Sequence, residues 1–264
     1  ADLTRRAVAQ AAKFMAEMLV PVEAVSLERQ DPFRLVKFAD GTAANCKSVL
    51  IATGVSYRML PAEGAERFAG AGVYYGASGV EASEYAGQDV AIIGGGNSAG
   101  QAALYLAATA RSVVICVRSE DLSSSMSAYL VDRIAATENI TVMGRHSVTA
   151  VAGTDHLESV EIEGPEGRHS MEIAAVFVYI GQVPRTEWLG DLVQRDPQGF
   201  VLTGSDCKPS AAWSLGRAPL LLETSVPGVF AAGDVRSGSI KRVASAAGEG
   251  AMAIRFIHEH LANL

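Results

Sequence analysis

Short runs of β-branched residues that end in glycine, separated by alanine- and leucine-rich stretches, predict an α/β protein built on buried parallel strands. Three observations carry this. Val90-Ala91-Ile92-Ile93 runs into Gly94-Gly95-Gly96 and then into Gln101-Ala102-Ala103-Leu104-Tyr105-Leu106, a strand, a glycine turn and a helix in succession. Val113-Val114-Ile115-Cys116-Val117 follows as a second apolar run at the spacing of a βαβ unit. Val176-Phe177-Val178-Tyr179-Ile180-Gly181 and Val229-Phe230-Ala231-Ala232-Gly233 repeat the strand-to-glycine pattern later in the chain.

Taken in order, Asp2 can cap a helix whose apolar residues recur at Leu3, Ala7, Ala11, Phe14 or Met15, and Met18. Val20, Val22 and Val25 suggest an irregular strand around Pro21. Phe33, Leu35 and Phe38 alternate up to the Asp40-Gly41 turn, and Val49-Leu50-Ile51-Ala52 is a short strand ending at Thr53-Gly54. Pro61, Gly64, Gly70 and Gly72 punctuate a connection that places the first domain boundary at 72/73. Ser127 can cap a helix through Tyr129, Leu130 and Ile134. A meander follows at Ile140–Met143, Val148–Val151, Leu157–Ile162 and Met171–Ile173, and Pro184 marks the second boundary. Phe200-Val201-Leu202 and Val226 to Ala231 are further strands, Trp213 anchors a loop, and a last helix ends near Leu261.

The central stretch reads as Gly94-x-Gly96-x-x-Ala99, the dinucleotide fingerprint. Gly94 permits the tight turn, Gly96 lets backbone approach a pyrophosphate, and Ala99 lets the helix pack closely on the strand. The first helical amides, from Gly95 through Asn97, Ser98 and Ala99, present the positive end of the helix dipole to an anion. An acidic residue roughly twenty positions on would bind the free ribose of NAD. Here that place holds Val117, Arg118 and Ser119, which suits a 2′-phosphate and favours NADPH; Glu120 is the residue that works against it. Gly96-Asn97-Ser98-Ala99-Gly100 also spells Gly-x-Ser-x-Gly, the nucleophile elbow of serine hydrolases, although none of His146, His156, His169, His258 and His260 is singled out as its base.

Composition narrows the class. The net charge is −7 over 264 residues, which argues against nucleic acid or an anionic membrane as partner. The opening residues carry charge inside their apolar stretch and do not form a secretion signal, and no apolar run reaches the length of a membrane span. Cys46, Cys116 and Cys207 lie far apart and form no ligand or redox motif, so reduced cysteines in a cytoplasmic protein are expected. His258 and His260 point to nearly opposite sides of a helix and do not share a metal. The first residue is alanine rather than methionine, which suggests a preceding segment.

Four segments in order resemble the thioredoxin reductase-like branch of the flavoproteins with two dinucleotide-binding domains. They are Leu50-Ile51-Ala52-Thr53-Gly54, the Gly94 to Gly100 fingerprint, Phe177 to Pro184, and Glu223 to Asp234, with Ala247-Gly248-x-Gly250 beyond. The resemblance implies two Rossmann-like, three-layer ββα domains. An NADPH domain at 73–183, including Gly181, would be inserted into an FAD domain at 1–72 and 184–264. It further implies that Gly233 and Asp234 meet the ribitol of FAD, that Thr53 and Gly54 pass near the cofactor, and that Lys241, Arg242 and Val243 lead a segment lining the flavin.

The resemblance has three departures. Gly76 and Gly79 stand where the family's Cys-x-x-Cys is expected, so no internal dithiol relay can form. Only Arg118 remains of the arginines after the second nucleotide strand. The glycine loop that holds the FAD pyrophosphate is missing from the chain, so FAD is expected to bind weakly or not at all. The expected function is hydride transfer from NADPH to FAD and on to an unidentified acceptor, with thioredoxin-like proteins, ferredoxin or flavodoxin as candidates and a homodimer as the assembly. A catalytically inactive nucleotide-binding regulatory module is the alternative, and a serine hydrolase the distant one.

Overall fold

The computed structural model describes residues 2–76, 83–208, 210 and 213–264. It divides into two units, one formed by 57–182 and the other by both flanking segments, 1–56 and 183–264.

The inserted unit is built on a parallel sheet. Strands β6 (Val73–Tyr74), β7 (Asp89–Ile93), β8 (Ser112–Val117), β9 (Ile140–Gly144) and β13 (Ala175–Val178) lie in the order β6-β13-β7-β8-β9. All neighbouring pairs are parallel. Alternate residues of one strand face opposite sides, and both sides are covered. Val90 and Ile92, with Val113, Ile115 and Phe177, pack under helices α2 (Asn97–Ala107) and α3 (Ala128–Ala135). Ala91 and Ile93, with Val114, Cys116 and Val176, pack under an antiparallel sheet of β10 (Ser147–Gly153), β11 (Leu157–Gly164) and β12 (Gly167–Glu172). This double burial is why the parallel strands read as unbroken apolar runs. The result is the expected three-layer ββα arrangement.

The unit also contains residues 57–72, which the sequence reading assigns to the flanking domain. Leu60, Ala65 and Phe68 are buried in the second core, and Glu63 bridges to Ala150. A segment without helix or strand can still be core, and its Pro and Gly punctuation conceals that.

In the flanking unit, β1 (Ala24–Gln30), β2 (Phe33–Phe38) and β3 (Ala43–Cys46) form an antiparallel meander. β4 (Val49–Ile51) pairs in parallel with β15 (Val229–Ala231), and helix α4 (Val243–Leu261) buries Ala253 against Leu222 and Phe230. α1 (Asp2–Lys13) buries none of its residues. It stops short of the expected Met18, because Met15 takes a left-handed φ of 55°. The strand expected from Val20, Val22 and Val25 begins only at Ala24, after irregular residues 20–23, and Phe200-Val201-Leu202 contributes only isolated bridges at Val201. Where the chain crosses between the units, β5 (Val55–Tyr57) pairs with β14 (Gln182–Pro184).

Candidate functional site

A cavity of about 540 Å³ opens at the carboxyl ends of β13, β7 and β8. Because β7 lies between the other two, the glycine turn that follows it sits centrally. Tyr179 and Ile180 then line one side, and Arg118 and Ser119 the other. This is the crevice in which open α/β sheets bind their ligands.

Each glycine of the turn has its own reason. Gly94 adopts φ +136°, and a Cβ there would lie 2.3 Å from the Tyr179 carbonyl oxygen. A Cβ on Gly95 would meet Ser125 Oγ and Val117 Cγ1, each at 3.2 Å. Gly96 has ordinary backbone angles and nothing within 4 Å of a Cβ, so that position faces open space. Gly100 is the first residue to donate back, to the Gly96 carbonyl at 3.1 Å. The amides before it therefore lack intrahelical acceptors and are available to an anion.

A serine-rich loop walls the turn. Ser125 Oγ donates to the Gly95 carbonyl at 2.8 Å, and Ser124 and Ser125 both line the cavity. The Asn97 carboxamide accepts the Ser127 amide and donates to the Ser127 hydroxyl. Ser127 is thus the N-cap residue of α3 as expected, but its hydroxyl makes no capping bond to the helix. The sequence shows the serines and not this contact, which joins residues 30 positions apart.

Arg118 is exposed and has no hydrogen bond or ion pair among the described residues. Ser119 Oγ donates to the Asp121 carbonyl. Glu120 is paired with Arg145, Oε1 to Nη2 at 2.6 Å. Cys116 also lines the cavity, and burial pushes its thiol up to about 11, so it stays protonated. Gly181, at φ +98°, accepts the Arg58 amide.

Residues 7–250 match the pyridine nucleotide-disulphide oxidoreductase family. The chain belongs to that family. Within it, the chain is 33% identical over 258 residues to the bifunctional thioredoxin reductase/thioredoxin of Mycobacterium leprae, covering 95% of this chain and 52% of that protein. It is 30% identical over 241 residues to a subunit of alkyl hydroperoxide reductase from Staphylococcus aureus, covering 90% and 44%. Among solved structures, thioredoxin reductase from Streptococcus pyogenes superposes with a TM-score of 0.73 at 28% identity, covering all of this chain and 80% of that one. The T. acidophilum thioredoxin reductase gives 0.67 at 27%, covering 98% and 79%. The chain thus spans about half the length of these two curated relatives.

In this family member the second group of expected residues falls in the flanking unit, at the adjacent ends of β4 and β15. Gly54 has φ +64°, and Thr53 Oγ1 donates to the Arg185 carbonyl. Gly233 has φ +77°, and its amide donates to the buried Glu249 carboxylate at 2.7 Å. Glu249 also pairs with Arg236. Burial alone would raise the Glu249 carboxyl, but the Arg236 and Gly233 hydrogen bonds outweigh it and hold the group below its usual value. Asp234 is half-buried, and its carboxylate has no partner among the described residues. Lys241 donates to the Asp234 carbonyl and stacks 4.2 Å from the Phe200 ring centroid. Arg242 is the N-cap residue of α4, and Val243 is exposed.

These residues fit the ring and ribitol side of a flavin. Among the described residues the strand–glycine-turn–helix unit occurs at 89–107, in the other unit. Of the expected cysteine positions, Gly76 is described and Gly79 lies outside the described residues. The hydrolase alternative finds no support. Ser98 is exposed in the first turn of α2, has no positive φ, and is bonded to no imidazole among the described residues. The three cysteines are unpaired, no metal-binding cluster occurs among the described residues, and no described helix is long and apolar enough to cross a membrane.

Proposed function

We propose that the chain handles the nucleotide in an NADPH-dependent flavoprotein oxidoreductase similar to thioredoxin reductase. The carrying observation is the cavity over the Gly94–Gly96 turn, with open space at Gly96 and, at its edge, Arg118 without a partner among the described residues. The free amides of Gly95 to Ala99 would hold the pyrophosphate, and Arg118 with Ser119 the 2′-phosphate. The side lined by Met59, Leu60, Tyr179 and Ile180 is left for the nicotinamide. Leu60 is buried and Tyr179 half-buried, which limits water on that side.

Flavin held by Thr53, Gly54, Gly233, Asp234 and the segment 241–243 would supply hydride acceptance and onward electron transfer. Asp234 offers a free acceptor for a ribitol hydroxyl, and Glu249 fixes the Gly233 backbone beside it. The chain has no Cys-x-x-Cys, so the electrons would reach an external acceptor without an internal dithiol. Thioredoxin-like proteins, ferredoxin and flavodoxin are the acceptor classes, a homodimer is the assembly, and unpaired cysteines suit a reducing cytoplasm. Anaerobic NADPH added to FAD-reconstituted protein should bleach the flavin absorbance.

A further inference from the structure

We infer that Arg145 sets which nucleotide the cavity accepts, by occupying the Glu120 carboxylate; the inference rests on the dinucleotide reading of that cavity. The strand β9 ends at Gly144, where a Cβ would lie 1.8 Å from the Glu120 carbonyl oxygen. The Arg145 amide donates to the Ser119 carbonyl at 2.7 Å, and the His146 amide to the Val117 carbonyl at 2.9 Å. Residues 144–146 are therefore fastened along 117–120, and the Arg145 and Glu120 side chains are fixed as neighbours. Arg118, Ser119 and His146 line the cavity, and Glu120 and Arg145 are their immediate chain neighbours.

Arg145 holds a left-handed φ of 60°, a conformation that asparagine or glycine adopts at less cost. The pair is 58% and 76% exposed, so it contributes little to stability. Its effect is electrostatic. A free carboxylate at this strand end would accept the ribose hydroxyls of NADH and repel a 2′-phosphate. Paired with Arg145, the Glu120 charge is offset, and Arg118 is left as the cation that lines the cavity and complements the 2′-phosphate.

The test is equilibrium titration of NADPH and of NADH into the wild-type chain, Arg145→Asn, Glu120→Gln and the double variant. Asparagine tolerates the left-handed backbone, and the melting temperatures should match. NADPH should bind the wild type more tightly than NADH. Arg145→Asn should weaken NADPH about tenfold while NADH holds or tightens. Glu120→Gln should leave NADPH binding intact, and the double variant should recover most of the loss. An unchanged NADPH-to-NADH ratio in Arg145→Asn, or a double variant no better than the single one, overturns the inference and leaves the dinucleotide site standing. A wild-type chain that binds neither nucleotide overturns the site itself.

Discussion

The Asn97 carboxamide grips Ser127 at two points, accepting its amide at 2.7 Å and donating to its hydroxyl at 2.9 Å. The glycine turn and the N-terminus of α3 are thereby one piece. Asn97→Ala should lower stability by about 1–2 kcal/mol through two lost hydrogen bonds and weaken NADPH, measured by urea unfolding and titration. Asn97→Asp keeps the acceptor for the Ser127 amide. It should hold stability nearer to wild type yet weaken NADPH by placing a carboxylate beside the phosphates.

Gly94 and Gly96 should separate folding from binding. Gly94→Ala drives a methyl into the Tyr179 carbonyl at a left-handed backbone angle, and should destabilise by about 2–5 kcal/mol. Gly96→Ala meets no protein atom. It should melt like wild type while losing nucleotide affinity, because on the proposed function its methyl would stand where the pyrophosphate binds.

Glu223 is fully buried and serves Arg217 through both carboxylate oxygens, as well as the amides of Leu220 and Gly228. Glu223→Ala leaves both amides and Arg217 Nη2 without this acceptor, while Arg217 Nη1 keeps only the Ala218 carbonyl. The expected loss is about 3–5 kcal/mol, read by denaturant unfolding.

Burial holds His260 below its usual value, with Arg217 and Arg34 adding to the effect and Glu223 opposing it. The folded state therefore favours neutral imidazole. As pH falls below the unfolded value of about 6.5, the unfolded chain takes up the proton first and stability drops. His260→Gln should show a smaller fall in melting temperature than wild type between about pH 7.5 and 5.5.

The nucleotide unit is legible in the sequence because its strands are buried on both faces. Val90 to Ile93 and Val113 to Val117 can be little else, and the glycines mark where they end. Leu60, Ala65 and Phe68 are not legible as core, since burial in an irregular segment leaves no period to read. The Asn97–Ser127 and Glu120–Arg145 contacts are hidden for another reason. They depend on which strand ends lie side by side, and residue spacing does not encode that. Glu120 itself can be found as an acid near the ribose position, but only its partner decides what it does there. In the flanking unit, Gly233 and Asp234 can be found from the strand ending in Ala231, whereas Glu249, which fixes the Gly233 amide, is one more helical carboxylate until the fold is seen.

The pairing of β5 with β14 has a consequence for chain entropy. The nucleotide unit leaves and rejoins its host through strands that lie alongside each other, so the host sees a long insertion as a short turn. The entropy of closing that loop is met once the insert has folded, and the insert carries its own core on both sides of its sheet. Lengthening or swapping it should therefore disturb the host far less than its size suggests, so long as the two ends still emerge as neighbours.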